Sequence, residues 1–207
     1  MLTITSPLLI IIAILIKATS KGPAIFVQTR VGQESCLFSL YKFRTMIYQS
    51  KKIRSSVTTA VDSTITSFGK ILRRTKIDEL PQLWNVIKGD MSLVGPRPDV
   101  PEIIEQYSTD MLKILKLKPG ITSVATMHLR NEERLLTLAK EPERAYIKVF
   151  VPIKVRLSME HLYRNSLMFD MKILFQTIWL IIVNIFCPIK DNYITELIKK
   201  EILIMNC

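Results

Sequence analysis

The stretch GKILRRTKIDELPQLWNVIKGDMSLVGPRPDVPE, residues 69–102, contains most of the signals that decide the fold of this 207-residue chain. Its middle part, DELPQLWNVIKG, predicts a helix that begins at Asp78, because Pro81 is tolerated in a first turn and Gly89 is placed to end the helix. The following SLVGPRPDVP contains three prolines and predicts a stiff, extended loop. The stretch therefore predicts a helix that leads into a rigid connection.

The residues before this stretch predict a short β-hairpin and a capped helix. AIFVQTRVG and LFSLYKFRTM are rich in β-branched and aromatic residues, and they flank a turn-like segment at residues 32–35. Residues 47–64 are polar, basic and rich in Ser and Thr, which is typical of a mobile loop. Thr66 is then placed to cap a helix that continues to Arg74.

The residues after this stretch predict further helices. Residues 101–117 and 131–150 have helical spacing and are separated by a Lys-Pro-Gly turn. The apolar segment 167–187 is interrupted by Asp170 and Lys172, so a core helix and a helix at a membrane interface both remain open, whereas a full span would be costly. The whole pattern predicts a mostly helical α+β fold with one domain and a short β-hairpin.

The N-terminal residues predict a helix that dips into a membrane. Leu8–Ile16 is an apolar run that is too short for a span of roughly 20 residues. Its first basic residue, Lys17, follows the run, so a cleaved secretory signal is not expected. We expect Pro7 to kink or start this helix, and an ordinary buried helix is the alternative.

Composition and charge point to a protein held against a bilayer. The chain is 48% hydrophobic, yet its 23% charged residues are too many for a bundle of membrane spans. Residues 17–76 contain twelve Lys and Arg against two acids, which accounts for nearly all of the net charge of +11. This segment could face anionic lipid, substrate phosphates or nucleic acid, or it could be a solvated basic face. We expect no nucleic-acid partner, because no stacking platform or recognition helix accompanies the basic residues.

Asp78 and Glu79 are candidate catalytic residues. They are adjacent carboxylates at a predicted helix N-terminus, where the helix dipole and the nearby Arg73 and Arg74 would favour the ionised form. An ionised, aimed carboxylate is what nucleophilic attack on phosphorus requires. The alternative is that Asp78 serves only as a helix N-cap.

Arg97 is a candidate phosphate ligand. In Gly95–Pro98, two prolines and a glycine restrict the backbone on both sides of this arginine, which would hold a guanidinium fork still for a phosphate. The alternative is a rigid turn between helices.

Three separated blocks resemble one known family. They are KATSKGPAIFVQTRVGQESCLFSLYKFRTM, GKILRRTKIDELPQLWNVIKGDMSLVGPRPDVPE and LKPGITSVAT, and the likeness covers roughly residues 6–180. They are similar to the signature blocks of the bacterial sugar transferases, the monotopic polyprenyl-phosphate phosphoglycosyl transferases. That family begins the assembly of capsule, exopolysaccharide, O-antigen or glycoprotein glycans.

The resemblance implies a two-step reaction. Asp78 would attack the β-phosphorus of a UDP-sugar, release UMP and carry the phosphosugar as an ester. Polyprenyl (undecaprenyl) phosphate would then attack this intermediate and regenerate the carboxylate. The resemblance also implies Mg²⁺, with Asp78 as its protein contact, and Glu79 would orient the nucleophile or the metal.

The resemblance further assigns the basic residues. Arg73 and Arg97 match the phosphate-binding arginines of the family. Lys42 and Arg44 could hold the lipid phosphate, although an exposed basic strand face explains them equally well. The partners implied are a UDP-sugar, polyprenyl phosphate and membrane lipid at the cytoplasmic face of the bacterial inner membrane, and self-association is left open.

The chain departs from the family pattern at its N-terminus. The Ser-Pro break begins at Ser6, so we expect a truncated re-entrant helix at residues 1–22, followed by a catalytic domain at 23–180 and an apolar or amphipathic tail at 181–207. The apolar stretch at residues 173–187 and the tail are candidates to compensate for the missing arm at the membrane. The rival function is a non-catalytic, basic peripheral membrane-binding protein, a degraded copy of the family.

Overall fold

The computed structural model describes residues 2–48, 64–164, 166–186 and 192–206. Within these residues the chain is mostly helical with two small sheets, which confirms the predicted α+β class. Most of the predicted loop at 47–64 lies outside the described residues. The strands and helices are β1 (Ile25–Val31), β2 (Leu37–Phe43), β3 (Ser92–Val94), β4 (Gly120–Thr122), α1 (Leu2–Thr19), α2 (Ser67–Thr75), α3 (Gln82–Lys88), α4 (Pro101–Ile104), α5 (Thr109–Leu112), α6 (Val124–His128), α7 (Glu132–Leu136), α8 (Pro142–Ala145), α9 (Val151–Arg164), α10 (Leu167–Phe186) and α11 (Tyr193–Asn206).

The predicted hairpin is present. β1 and β2 pair antiparallel, with Ile25 opposite Phe43 and Val31 opposite Leu37. Glu34 and Ser35 take positive φ angles of 52° and 64°, which lets the chain reverse within the turn.

Helix α1 packs on the hairpin along one side. Ile12 and Ile16 are buried in a small core with Ala24, Phe43 and Leu72. The helix begins at Leu2, so Pro7 lies inside it. The expectation that Pro7 starts the helix was therefore wrong. Five other apolar side chains of this helix are exposed, namely Leu8, Ile10, Ile11, Ile14 and Leu15.

Helix α2 forms as predicted and abuts the end of β2. The Thr66 hydroxyl accepts a hydrogen bond from the Gly69 amide at 2.9 Å, which satisfies one of the free N–H groups of the first turn. A side chain at Gly69 would place its Cβ 2.0 Å from the Thr45 carbonyl oxygen. Glycine is therefore required here for close approach of the two backbones.

The next helix begins later than the sequence predicts. Lys76 ends α2 in a left-handed conformation with φ of 57°, and a single 3₁₀ turn covers Ile77–Glu79. Helix α3 starts only at Gln82 and ends at Gly89, whose φ is 86°. Asp78 therefore lies in a tight turn between two helices, and the prediction that it starts a helix was wrong.

The stiff segment after α3 contains a strand that the sequence did not reveal. β3 pairs in parallel with β4, and the Gly95 amide donates to the Thr122 carbonyl while the Gly120 amide donates to the Pro96 carbonyl, both at 2.9 Å. A Cβ on Gly120 would lie 2.1 Å from the Gly95 nitrogen. Because the paired residues, such as Ser92 and Gly120, are 28 residues apart, no local sequence pattern predicts this pairing.

The larger core joins the C-terminal half of the chain. It is built mainly from α7, α9, α11 and the π-helical turn Tyr146–Phe150 between α8 and α9. Ile198 and Ile202 of α11 are almost fully buried in it. Part of the apolar surface of the tail therefore packs within the fold, whereas Leu203 and Ile204 are exposed, and a membrane role for the tail stays a prediction.

Helix α10 is long, apolar and largely exposed. Its Leu167–Ile185 part is the helix among the described residues with the length and composition to cross a membrane, and 6% of it is buried. Ile173 packs inside, and the Thr177 hydroxyl lies 2.7 Å from that of Thr122 on β4. The domain boundary expected at residue 180 stays a prediction, although this helix runs through it.

Candidate active site

Asp78 and Glu79 are both buried in the 3₁₀ turn between α2 and α3. Neither side chain caps a helix, since the residue before the 3₁₀ turn is Lys76 and the residue before α3 is Pro81. A pure capping role for Asp78 therefore does not match the structure. Two adjacent buried carboxylates need another explanation, because burying a charge is costly unless a partner compensates for it.

The Asp78 carboxyl has an unsatisfied oxygen. Its Oδ1 atom is buried and has no hydrogen-bond partner within the described part of the chain. Burial, followed by the charge of Glu79, raises the pKa of Asp78 to about 6, although Lys76, Lys42 and Arg73 act in the opposite direction. The expectation that its surroundings favour the ionised form was wrong, because desolvation outweighs the basic neighbours.

Glu79 forms a bidentate ion pair with Arg97. Nη2 of Arg97 donates to Oε1 at 2.8 Å and Nη1 donates to Oε2 at 3.1 Å. Burial alone would raise the pKa of Glu79, but the charges of Arg97 and Lys76 lower it to about 2. Glu79 also raises the pKa of Arg97 above its ordinary value. Glu79 is therefore a permanent anion that holds one arginine in place.

Arg97 is the partly exposed member of an otherwise buried segment. Val94, Gly95 and Pro96 before it and Pro98, Asp99 and Val100 after it are all buried. The backbone is thus fixed on both sides of Arg97, as the Gly-Pro-Arg-Pro pattern predicts, and the guanidinium binds Glu79. Its role as a phosphate ligand stays a prediction.

Arg73 lies beside the same carboxylates. Its Nε donates to the Thr45 hydroxyl, and its Nη1 donates to Oε1 of Glu133, both at 2.9 Å. Its charge contributes to the pKa of Asp78. Glu133 was missed by sequence reasoning, because it reaches Arg73 from α7 across 60 residues of chain.

Lys42 faces the site from β2. Its Nζ lies 5.2 Å from the centre of the Phe26 ring, and its charge acts on both Asp78 and Glu79. Burial, followed by the charges of Arg30 and Arg97, lowers the pKa of Lys42 to about 8. This lysine can therefore change its charge close to neutral pH.

Arg44 and Arg74 point elsewhere. Arg44 donates to the Ser20 carbonyl at 2.7 Å and to the Lys21 carbonyl at 2.9 Å, so it holds the end of α1 against the hairpin. Arg74 donates to the Ile185 carbonyl at 2.8 Å, near the end of α10. The structure thus groups Asp78, Glu79, Arg73, Arg97 and Lys42, and it does not place Arg44 with them.

Two buried polar contacts near the site had no signal in the sequence. Asn85 donates to the Ser39 carbonyl at 2.7 Å and to Oδ2 of Asp90 at 3.1 Å, so it ties α3 to the hairpin. Asp90 acts here as a hydrogen-bond acceptor. Asp99 accepts hydrogen bonds from the hydroxyls of Tyr107 and Tyr146.

Asp78 is the candidate contact for a magnesium ion. Among the described residues, no three His, Cys, Asp or Glu side chains form a metal cluster. The unpartnered Oδ1 of Asp78 offers one hard oxygen ligand. Mg²⁺ commonly binds through one or two carboxylates and takes its other ligands from phosphates and water.

The family model for bacterial sugar transferases matches residues 1–184. The chain belongs to the bacterial sugar transferase family. The matched range contains the whole carboxylate and arginine cluster, and α11 follows the end of the match.

Several named members of the bacterial sugar transferase family are similar in sequence. A UDP-glucose:undecaprenyl-phosphate glucose-1-phosphate transferase of Klebsiella pneumoniae is 36% identical over 88% of this chain and 38% of its own length. The enzyme of the same name from Escherichia coli is 38% identical, with the same two shares. A UDP-N-acetylgalactosamine-undecaprenyl-phosphate N-acetylgalactosaminephosphotransferase of Aeromonas hydrophila is 41% identical over 58% of this chain and 29% of its own length. The chain thus spans well under half of the length of each of these relatives.

Proposed function

We propose that this chain transfers a sugar-1-phosphate from a UDP-sugar to polyprenyl (undecaprenyl) phosphate, as the first step of exopolysaccharide, capsule, O-antigen or glycoprotein glycan synthesis. The observation that carries the proposal is the buried Asp78 carboxyl, whose Oδ1 has no partner in the described structure while the adjacent Glu79 is fully engaged by Arg97. One carboxylate is thus left for chemistry and the other is used for positioning. The names of the similar enzymes supply the substrate class.

In the first step, Oδ1 of Asp78 forms a bond to the β-phosphorus of the donor. The bond from this phosphorus to the bridging oxygen breaks, and UMP leaves with the electron pair. Arg97, Arg73 and Lys42 stabilise the charge on the phosphate oxygens, since phosphoryl transfer depends mainly on positioning and electrostatics. Glu79 keeps Arg97 aimed through two hydrogen bonds.

In the second step, a phosphate oxygen of polyprenyl phosphate attacks the phosphorus of the aspartyl intermediate. The bond between that phosphorus and Asp78 breaks, so the carboxylate is regenerated and polyprenyl-diphospho-sugar is the product. We propose that Asp78 also contacts Mg²⁺, which when bound supplies neutralising charge to the diphosphate. Arg44 is assigned to anchoring α1, because its Nη1 and Nη2 atoms donate to the carbonyls of Lys21 and Ser20.

We expect kcat/KM to follow a bell-shaped pH profile. Attack needs ionised Asp78, so activity rises with pH through about 6, the pKa to which burial raises this carboxyl. Phosphate binding needs charged Lys42, so activity falls as pH rises through about 8. In Lys42→Arg the side chain keeps its charge at alkaline pH, so the fall in activity above about pH 8 should disappear. The control Lys88→Arg should still show that fall. An unchanged alkaline limb in Lys42→Arg would assign that limb to another group.

The exposed apolar surface supports attachment to the bacterial inner membrane. We propose that α10 and α1 lie in the interface of the cytoplasmic leaflet, with α10 held to the protein by Thr177 and Arg74. Trp179, a residue type favoured at such interfaces, is 66% exposed. The exposed apolar side chains of α10 are Leu167, Met168, Met171, Phe175, Ile178, Trp179, Ile182 and Ile185.

One assay tests both the reaction and the attachment. Membranes that contain the full chain are washed with high salt and then given undecaprenyl phosphate and a panel of UDP-sugars, and UMP is quantified. We expect at least one donor to yield UMP together with a polyprenyl-diphospho-sugar. Membranes that keep the chain but yield no UMP with any donor would favour a non-catalytic membrane-binding protein. Loss of the chain in the wash would reject the interfacial helices.

A further inference from the structure

A buried carboxylate lies behind the arginine loop and outside the reaction described above. Asp99, two residues after Arg97, accepts hydrogen bonds from Tyr146 at 2.7 Å and from Tyr107 at 2.9 Å. The two tyrosines follow different helices, α8 and α4, so the carboxylate joins parts of the chain that are distant in sequence. Burial, followed by the charge of Asp99, raises the pKa of both tyrosines, so their hydroxyls remain hydrogen-bond donors at any working pH.

Arg30 fixes the same loop to the hairpin. Its Nη1 donates to the Pro98 carbonyl at 3.1 Å and lies 3.9 Å from Oδ1 of Asp99. The Val31 amide donates to the Asp99 carbonyl at 3.0 Å. Residues 98 and 99 are therefore bound through both their backbone and a side chain.

The residues before Arg97 are bound as firmly. The Gly95 amide and the Pro96 carbonyl both pair with the segment around β4. Every neighbour of Arg97 in residues 94–100 is buried, and Arg97 alone is partly exposed. The backbone from which the Arg97 side chain extends is thus held by contacts that this side chain does not make, and Glu79 then holds the guanidinium itself.

We propose that Tyr146, Tyr107 and Arg30 are positioning residues that act through Asp99 to hold Arg97 in the active site. The proposal rests on the proposed function for the consequence in catalysis, but the geometry of Arg97 can be tested without it. Tyr146 also accepts a hydrogen bond from Lys154 at 2.9 Å, and Lys154 lies 2.7 Å from Glu132, whose charge acts on Arg97. Tyr146 opens the π-helical turn Tyr146–Phe150, a geometry that often marks functional positions.

The test is Tyr146→Phe in the full chain, which removes one hydroxyl and keeps the ring in the core. Its matched control is Ile198→Val, a mild change in the same hydrophobic core that does not touch Asp99. Three quantities are measured for each protein: the melting temperature, the kinetics of UMP release, and the rate at which phenylglyoxal modifies Arg97. The modification rate is read by peptide mass spectrometry, with the exposed Arg144 as an internal reference.

We expect Tyr146→Phe to speed the modification of Arg97 about fivefold and to lower kcat/KM about tenfold, because a small displacement of a positioned group is enough to slow transfer strongly. The modification rate of Arg144 should not change in any variant. Ile198→Val should change neither the modification rate of Arg97 nor kcat/KM. In an Arg97→Lys background the added loss in kcat/KM should be much smaller than tenfold, because both changes act on one group.

The proposal is overturned if Tyr146→Phe leaves the modification rate of Arg97 unchanged, or if Ile198→Val produces the same increase. If the wild-type chain releases no UMP, the proposed function fails, and the reactivity of Arg97 still decides whether the tyrosines position it. Should Tyr146→Phe not fold, Tyr107→Phe provides the same test from the other oxygen of Asp99, at a side chain that is only partly buried.

Discussion

Replacing Asp78 by asparagine is expected to lower UMP release by roughly 10³-fold or more, the scale seen when a nucleophile is removed from an enzyme. The amide has nearly the same shape, so the turn between α2 and α3 should persist. It cannot supply an anionic oxygen to phosphorus, and the free Oδ1 position is the feature on which the reaction depends. Glu79 cannot replace it, because both of its oxygens are bound to Arg97.

The measurement is a quenched reaction with UDP-sugar alone, followed by mass spectrometry of the protein. The wild-type chain should gain one phosphosugar on the peptide that contains Asp78, and the Asp78→Asn variant should gain none. Asp90→Asn is the matched control. Asp90 accepts a hydrogen bond from Asn85, and its Oδ2 lies 3.4 Å from Nζ of Lys88, so it does not contact the free oxygen of Asp78. A phosphosugar on the Asp78→Asn protein, or undiminished UMP release, would refute the assignment of the nucleophile.

Replacing Arg97 by alanine is expected to damage both activity and stability. Glu79 would keep its buried position but lose the bidentate partner that lowers its pKa to about 2. Breaking a fully buried ion pair costs about 3–5 kcal/mol, and because the Arg97 side chain is 35% exposed we expect about 2 kcal/mol. We expect kcat/KM to fall about 10²–10³-fold, as for the loss of one donor that stabilises transition-state charge.

The stability loss should depend on pH with a definite sign. The pKa of Glu79 is depressed, so the ion pair stabilises the fold above the ordinary value of 4.5 and this contribution is lost as pH falls towards about 2. Wild-type and Arg97→Ala proteins should therefore differ at pH 7 and converge in that acid window. The double variant Glu79→Gln with Arg97→Ala should recover much of the stability but little activity. A constant difference from pH 7 to pH 3 would show that the ion pair is not its cause.

Local patterns predicted the elements that depend on neighbouring residues. The hairpin follows from two β-rich runs around a turn, and the start of α2 follows from a threonine placed to cap it. The rigid arginine loop follows from its prolines. The Asp78–Glu79 pair was also visible, but its helix start was misplaced by four residues, because Lys76 adopts a left-handed conformation that nothing adjacent requires.

Other features depend on residues that only the fold brings together. The pKa of Asp78 was predicted with the wrong sign, since its burial could not be inferred from nearby arginines. Arg44 and Lys42 lie two residues apart on one strand, yet one binds the end of α1 and the other faces the carboxylates. Glu133, Tyr107 and Tyr146 reach the site from distant parts of the chain.

By itself, the amino-acid sequence determined the family, the local elements and the chemical types at the site, because glycine, proline, charge and apolar spacing act over a few residues. Only the tertiary structure decided which carboxylate keeps a free oxygen, which arginine is committed to it and which groups hold that arginine. Those properties come from burial and from contacts between distant segments. The ionisation and reactivity of a side chain depend on the solvent and charges around it, and folding determines both.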